Sequence, residues 1–98
     1  MAIGKYVRIK LEEVVKDNLI NYSELDKLQS ENYSKITFDI QFPLLKKVDS
    51  PNHTKVERYW KKPLLIKGDY YLICSEWYEQ PNNNDRPYFV KWIRNLKK

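Results

Sequence analysis

From Lys5 to Lys10 the chain alternates, with Tyr6, Arg8 and Lys10 set against Val7 and Ile9, which predicts a strand. The period then lengthens. Leu11, Val14, Val15 and Leu19 fall at i, i+3, i+4 and i+8, one face of a helix running from Leu11 to Ile20. Glu12 and Glu13 stand near its start, where the helix dipole favours acids. Asn21 or Ser23 can cap a second short helix at about Tyr22 to Gln29. With Asn21 at the cap, Glu24 takes the third helical position, and Ile20 and Leu25 form a hydrophobic staple. Ser30 to Ser34 is polar and reads as a loop. Lys35 to Phe42 carries the plainest pattern: Ile36, Phe38, Ile40 and Phe42 alternate with Lys35, Thr37, Asp39 and Gln41, a strand with one wet face that Pro43 ends.

Further on, Asp49-Ser50-Pro51-Asn52 is turn chemistry and predicts an exposed loop carrying His53. Lys55 to Lys61 is a candidate strand, broken by Pro63. Leu64 to Ile66, Lys67-Gly68 and Asp69 to Tyr78 predict a hairpin, with Gly68 supplying the positive φ of a tight turn. Pro81 to Asp85 is a polar loop. Asp85 and Pro87 suit the start of a helix whose apolar face is Phe89, Trp92, Ile93 and Leu96. The expected fold is α+β: a single domain, residues 1–98, with a mainly antiparallel sheet of three to five strands, short N-terminal helices and a C-terminal helix packed on the sheet.

A length of 98 residues with 42% apolar positions supports one small core. No apolar run is long enough for a membrane span, and Met1 to Lys10 lacks a secretory pattern, so a cytoplasmic protein without membrane contact is expected. One cysteine and one histidine exclude an internal disulfide and most His/Cys metal sites. The 14 Lys, 8 Asn and 8 Tyr against 4 Arg, 2 Gly and 1 Ala match AT-rich codons, as expected of a low-GC bacterium or its phage. Much of the lysine excess has that source, so the position of charge counts for more than its total of +5. Residues 1–34 hold 5 bases and 6 acids, residues 35–69 hold 8 and 4, and residues 70–98 hold 5 and 3. Positive charge therefore gathers in the middle and at the end, which bears on partners rather than on fold.

Chemistry is sparse. No Gly-x-Ser-x-Gly elbow occurs, and two glycines cannot build a phosphate-cradling loop. Cys74 lies within a predicted strand, where a thiol is usually a small buried hydrophobe. Glu12-Glu13 and Glu76 with Glu79 are the available carboxylate pairs. No metal or other cofactor is expected, and catalysis is not favoured. The remaining constellation is basic and aromatic. Lys55, Arg58, Tyr59, Trp60, Lys61 and Lys62 fall within eight residues, with Lys46 and Lys47 upstream and Lys67 downstream. Lysines neutralise phosphates and aromatic faces stack on bases, so these nine residues are the candidate nucleic-acid surface, to which Lys91, Arg94 and Lys98 of the last helix could add. The competing role for Tyr59 and Trp60 is core, rimmed by snorkelling lysines.

The expected function is a small non-enzymatic binding protein that takes nucleic acid. The alternative is a phage or mobile-element protein that modulates a host protein through the aromatic surface of Trp77, Tyr78, Tyr88 and Phe89, since Trp and Tyr are enriched at interfaces. A third reading rests on layout: strand, two helices, sheet and final helix together resemble RelE/ParE-type toxins. That likeness implies a metal-free ribonuclease in which Arg58, Tyr59 and Lys61 could serve, although no motif matches.

Overall fold

The computed structural model describes residues 1–52 and 54–98; His53, expected on an exposed loop, lies outside the described residues. Helix α1 spans Ile3–Lys16. Ile3, Val7, Leu11 and Val14 are its buried residues, a spacing of four, four and three that is helical from the start. The expected strand Lys5 to Lys10 is therefore the first half of this helix, and Ile9, assigned there to an apolar face, is 41% exposed. A six-residue window is too short to separate period two from period 3.6 when only two of its residues are aliphatic. The helix ends in a Schellman arrangement: Asn18 takes φ 56°, its N–H donates to Val15 O and the Leu19 N–H donates to Val14 O.

Helix α2, Tyr22–Lys27, forms as expected, with Asn21 Oδ1 accepting from the Glu24 N–H at 2.7 Å and with Ile20 and Leu25 both buried. Helix α3, Glu31–Phe38, corrects two expectations. Ser30 opens the helix by accepting from the Tyr33 N–H, so the predicted loop is a cap and a first turn. The predicted strand Lys35 to Phe42 is the end of this helix followed by a bend. Ser34 and Phe38 make its buried face, and Ile36 is 70% exposed. Asp39, in the left-handed region at φ 62°, stops the helix and turns Ile40 back into the core. Phe38 and Ile40 are thus buried together by a chain reversal that mimics a strand's alternation.

Strands β1 (Leu45–Val48), β2 (Leu64–Ile66) and β3 (Asp69–Ile73) form an antiparallel sheet in the order β1-β3-β2. The hairpin is the expected one: Ile66 pairs with Asp69 across Lys67 (φ 50°) and Gly68 (φ 90°), the two positive φ values of a type I′ turn. Its second strand is shorter than expected. The predicted strand Lys55 to Lys61 contributes one bridge, Tyr59 to Cys74. The loop expected at Pro81 to Asp85 is mostly a small hairpin of β4 (Glu79–Gln80) and β5 (Asn83–Asn84). Helix α4, Arg86–Leu96, follows as predicted, with Pro87 in its first turn.

The described residues form an α+β fold of four helices with these small antiparallel sheets. Helix α4 lies against α1 and α3. Its Phe89 and Trp92 meet Phe38 of α3 and Trp77, with ring centroids 5.2–6.0 Å apart and mostly edge-to-face, the arrangement aromatic quadrupoles favour. Ser34, fully buried, accepts from the Leu44 N–H at 2.9 Å and so ties α3 to the entry of β1. The chain opens with a helix rather than a strand, so the layout behind the RelE/ParE likeness is not present. No helix among the described residues is long and apolar enough to cross a membrane.

Candidate nucleic-acid groove

The fold separates the nine nominated residues. Tyr59 is buried at 8% exposure, because its pairing with Cys74 at the sheet end turns the ring inward; its hydroxyl donates to Pro43 O at 2.8 Å. Burial pushes its phenol well above the ordinary range. Trp60 is half-buried and lies on α1: a Cβ built at Gly4 would meet its ring carbon Cζ2 at 3.1 Å, and the Arg8 guanidinium is 5.3 Å from its centroid. Neither ring stands free as the stacking face expected of it. Lys61 and Lys62 follow on the exposed surface. Lys67, in the hairpin turn, donates to Asn18 Oδ1 and sits 4.8 Å from the Tyr22 ring. Lys55 is exposed.

The other three line a run of cavities. One, of about 520 Å³, takes in Asp39, Phe42, Arg58, Tyr78 and Asn82. The next, about 440 Å³, shares Phe42 and holds Lys46, Lys47 and the edge of Tyr59. A third, about 450 Å³, shares Lys47 and continues along Val48, Asp49, Ser50, Asn52 and Thr54. Each hollow shares one lining residue with the next, and the row of three, from the end of α3 to the edge strand β1, is the candidate groove. Each volume lies within the ~300–1,000 Å³ of small-ligand sites. Lys46 and Lys47 are exposed on β1; Lys47 Nζ lies 3.4 Å from Asp69 Oδ2, both about half exposed, a contact worth little in water.

Arg58 is the most constrained of these side chains. It holds φ 71°, a left-handed value that costs a non-glycine residue on the order of 1 kcal/mol. Its carbonyl accepts from the Ser75 N–H at 2.8 Å, its Nη1 donates to Glu76 Oε1 at 2.9 Å, and its guanidinium lies 4.8 Å from the Phe42 centroid. Asp39, across the same cavity, is the other left-handed residue on its wall. Strain of this kind persists only where neighbours fix it, and it gathers at sites that hold a ligand. Tyr78 is 45% exposed, and its N–H donates to Asp85 Oδ2 at 2.9 Å. That contact diverts the Asp85 carboxylate from the α4 cap it was expected to make; Asn84 Oδ1 accepts from the Arg86 N–H instead.

The sequence did not single out Phe42, Gln41 or Asn82 for this surface. The asparagine run 82–84 and the Gln41-Phe42 pair were the signals for them, legible only once residues 39–42 leave the strand assignment. Of the alternative surface, Trp77 and Phe89 are core at 7% and 0% exposure, which corrects their placement at an interface. The Trp77 Nε1–H donates to Cys74 O at 2.7 Å. Tyr88 is 45% exposed and lines a separate cavity of about 440 Å³ between α3 and α4, with Ile36 and Trp92. Cys74 is fully buried, and burial pushes its thiol to about 11, which makes it a poor nucleophile. No group of three or more potential metal ligands occurs among the described residues. No protein-family model, no curated protein and no solved structure matches the chain.

Proposed function

We propose that this protein binds single-stranded nucleic acid along the groove that runs from Arg58 and Phe42 to Lys46 and Lys47. The observation that supports this reading is adjacency: Phe42 lines both the cavity that holds Arg58 and the cavity that holds Lys46 and Lys47. Lysines on an edge strand meet phosphates, while an aromatic-lined hollow takes a base only when it is unstacked, which favours a single strand over a duplex. The charged residues along the groove are Lys46, Lys47 and Arg58 set among Asp39, Asp49 and Glu76, so attraction for phosphate belongs to its lysine end rather than to its total charge.

The test is fluorescence anisotropy with a labelled single strand across a salt series. Binding should weaken linearly in log–log terms, and Lys46→Glu with Lys47→Glu should flatten the slope by roughly 1.4, about 0.7 per lost phosphate contact. Lys61→Glu with Lys62→Glu, off the groove, should leave the slope near the parent value. Absence of binding at low salt, or a double variant at Lys46 and Lys47 that binds like the parent, refutes the reading.

A second reading has its own support. Ile36, 70% exposed, and Tyr88 flank the α3–α4 cavity, and such an apolar pair suits a host protein as partner, this chain being the phage or mobile-element protein that modulates it. Ile36→Ser with Tyr88→Ser should then release a partner that the groove variants retain. A partner held equally by both sets of variants excludes this surface.

A further inference from the structure

We propose that the cavity bounded by Phe42, Arg58, Tyr78 and the Asn82–Asn83 turn is a pocket for one nucleobase, swung out of its strand. The inference rests on the groove reading above and assigns this end of it a ligand. The cavity of about 520 Å³ is lined by three residues that carry flat groups, Phe42, Arg58 and Tyr78, and by three that carry side-chain amides, Gln41, Asn82 and Asn83. Flat groups stack on any base, and an amide offers both a donor and an acceptor, the pattern that base edges present.

Charge assigns the two ends of the groove different parts of a nucleotide. At the pocket, Glu76 neutralises Arg58 at 2.9 Å, and Asp39 leaves one carboxylate on the wall. A phosphate is repelled there, whereas an uncharged base is not. Beyond Phe42 the wall turns cationic at Lys46 and Lys47, where a phosphate is held. A strand that lays its backbone over β1 therefore directs a base, not a phosphate, past Phe42. The strain at Arg58 fits the same role. Its carbonyl is fixed by Ser75 and its guanidinium by Glu76 and Phe42, so the plane is set before any ligand arrives.

The test compares three ligands on the full chain: a single-stranded oligonucleotide, an abasic strand of the same length, and a free mononucleotide. The expected result is tighter binding of the base-bearing strand than of the abasic one, by about tenfold, the size of one base–aromatic stack. Arg58→Lys keeps the charge and removes the plane, so the ratio of base-bearing to abasic affinity should fall towards unity. Asn82→Ala, on the exposed turn, should narrow the differences among the four bases. Equal, salt-sensitive binding of both strands by the parent protein overturns the pocket and leaves the groove standing. If neither strand binds, the groove itself fails and the pocket with it. A mononucleotide that binds as tightly as the strand overturns the strand-borne assignment and gives the pocket to free nucleotides.

Discussion

Two residues hold conformations or charges that their neighbours impose on them, and each makes a measurable claim. Arg58 keeps a left-handed backbone that glycine would adopt without cost, so Arg58→Gly relieves on the order of 1 kcal/mol of strain. It forfeits an ion pair with Glu76, half exposed on the Arg58 side, that is worth roughly 0–1 kcal/mol. These nearly cancel, so the variant should melt within a few degrees of the parent while losing the base preference. A steep loss of stability would show that Arg58 belongs to the fold rather than to the groove. Asp85 is the second case. It is fully buried, its Oδ1 has no hydrogen-bond partner among the described residues, and burial raises its carboxyl above the ordinary value despite the Tyr78 N–H. The unfolded chain gives up this proton at lower pH than the native one does. Stability therefore falls as pH rises from the ordinary carboxyl value, about 3.9, to the raised one, and levels off above it. Asp85→Asn removes the titration but leaves an oxygen for Tyr78. The stability difference between variant and parent should shift in the variant's favour across that window in denaturant titrations, and a difference flat with pH would exclude this account.

At the scale of elements, local chemistry explains what was legible and tertiary contact explains what was not. Helix α2, the Lys67–Gly68 hairpin and α4 each carry a signal within a few residues: an Asn21 cap, two adjacent positive-φ positions, an i, i+3, i+4, i+7 face. Helix α3 carries an equally local signal in Ser30, yet its apolar residues alternate, and β-branched and aromatic content pulled the reading towards a strand. What fixes the helix is a contact ten residues away, the buried Ser34 hydroxyl that accepts from the Leu44 N–H, which no local pattern displays. Ser34→Ala should therefore cost more than the loss of the half-buried Ser30 cap. It strands a buried donor, worth about 1–3 kcal/mol, where Ser30→Ala should cost about 1 kcal/mol. Paired denaturation curves read the order directly, and a Ser30 variant weaker than the Ser34 variant would reverse it. Since Ser34 also sets the entry to β1, its loss should loosen the Lys46–Lys47 wall and weaken strand binding alongside stability.

Across the whole molecule, the groove is assembled from residues far apart in the sequence, among them Phe42, Lys46, Lys47, Arg58, Tyr78 and Asn82, which the folded chain alone brings together. Charge density pointed to Lys46, Lys47 and Arg58. It could not place Tyr59 inside or Phe42 on the wall, because both depend on how the segment before β1 folds back over the sheet. The same burial that withdrew Tyr59 from the surface has a global consequence. Tyr33 is pushed up to about 12, chiefly by burial and then by donating to Glu24 Oε2 at 2.6 Å; Tyr59 and Tyr71 are raised by burial; the Cys74 thiol rises to about 11. For every one of these groups the native state keeps its proton at a pH where the unfolded chain has released it. The native state thus binds more protons than the unfolded state, and its stability must fall as pH climbs through the unfolded values. The fall begins near pH 8.5 with Cys74 and steepens near pH 10 as the tyrosines join. Urea midpoints should accordingly be level between about pH 7 and pH 8 and decline steadily towards pH 11, with the m-value unchanged. Tyr33→Phe separates this titration from general alkaline stress. It cannot ionise, and it gives up a bond to Glu24, so it should be less stable than the parent at neutral pH and lose less on going to pH 11. Parallel curves for the two proteins would mean that Tyr33 is not held protonated by the fold.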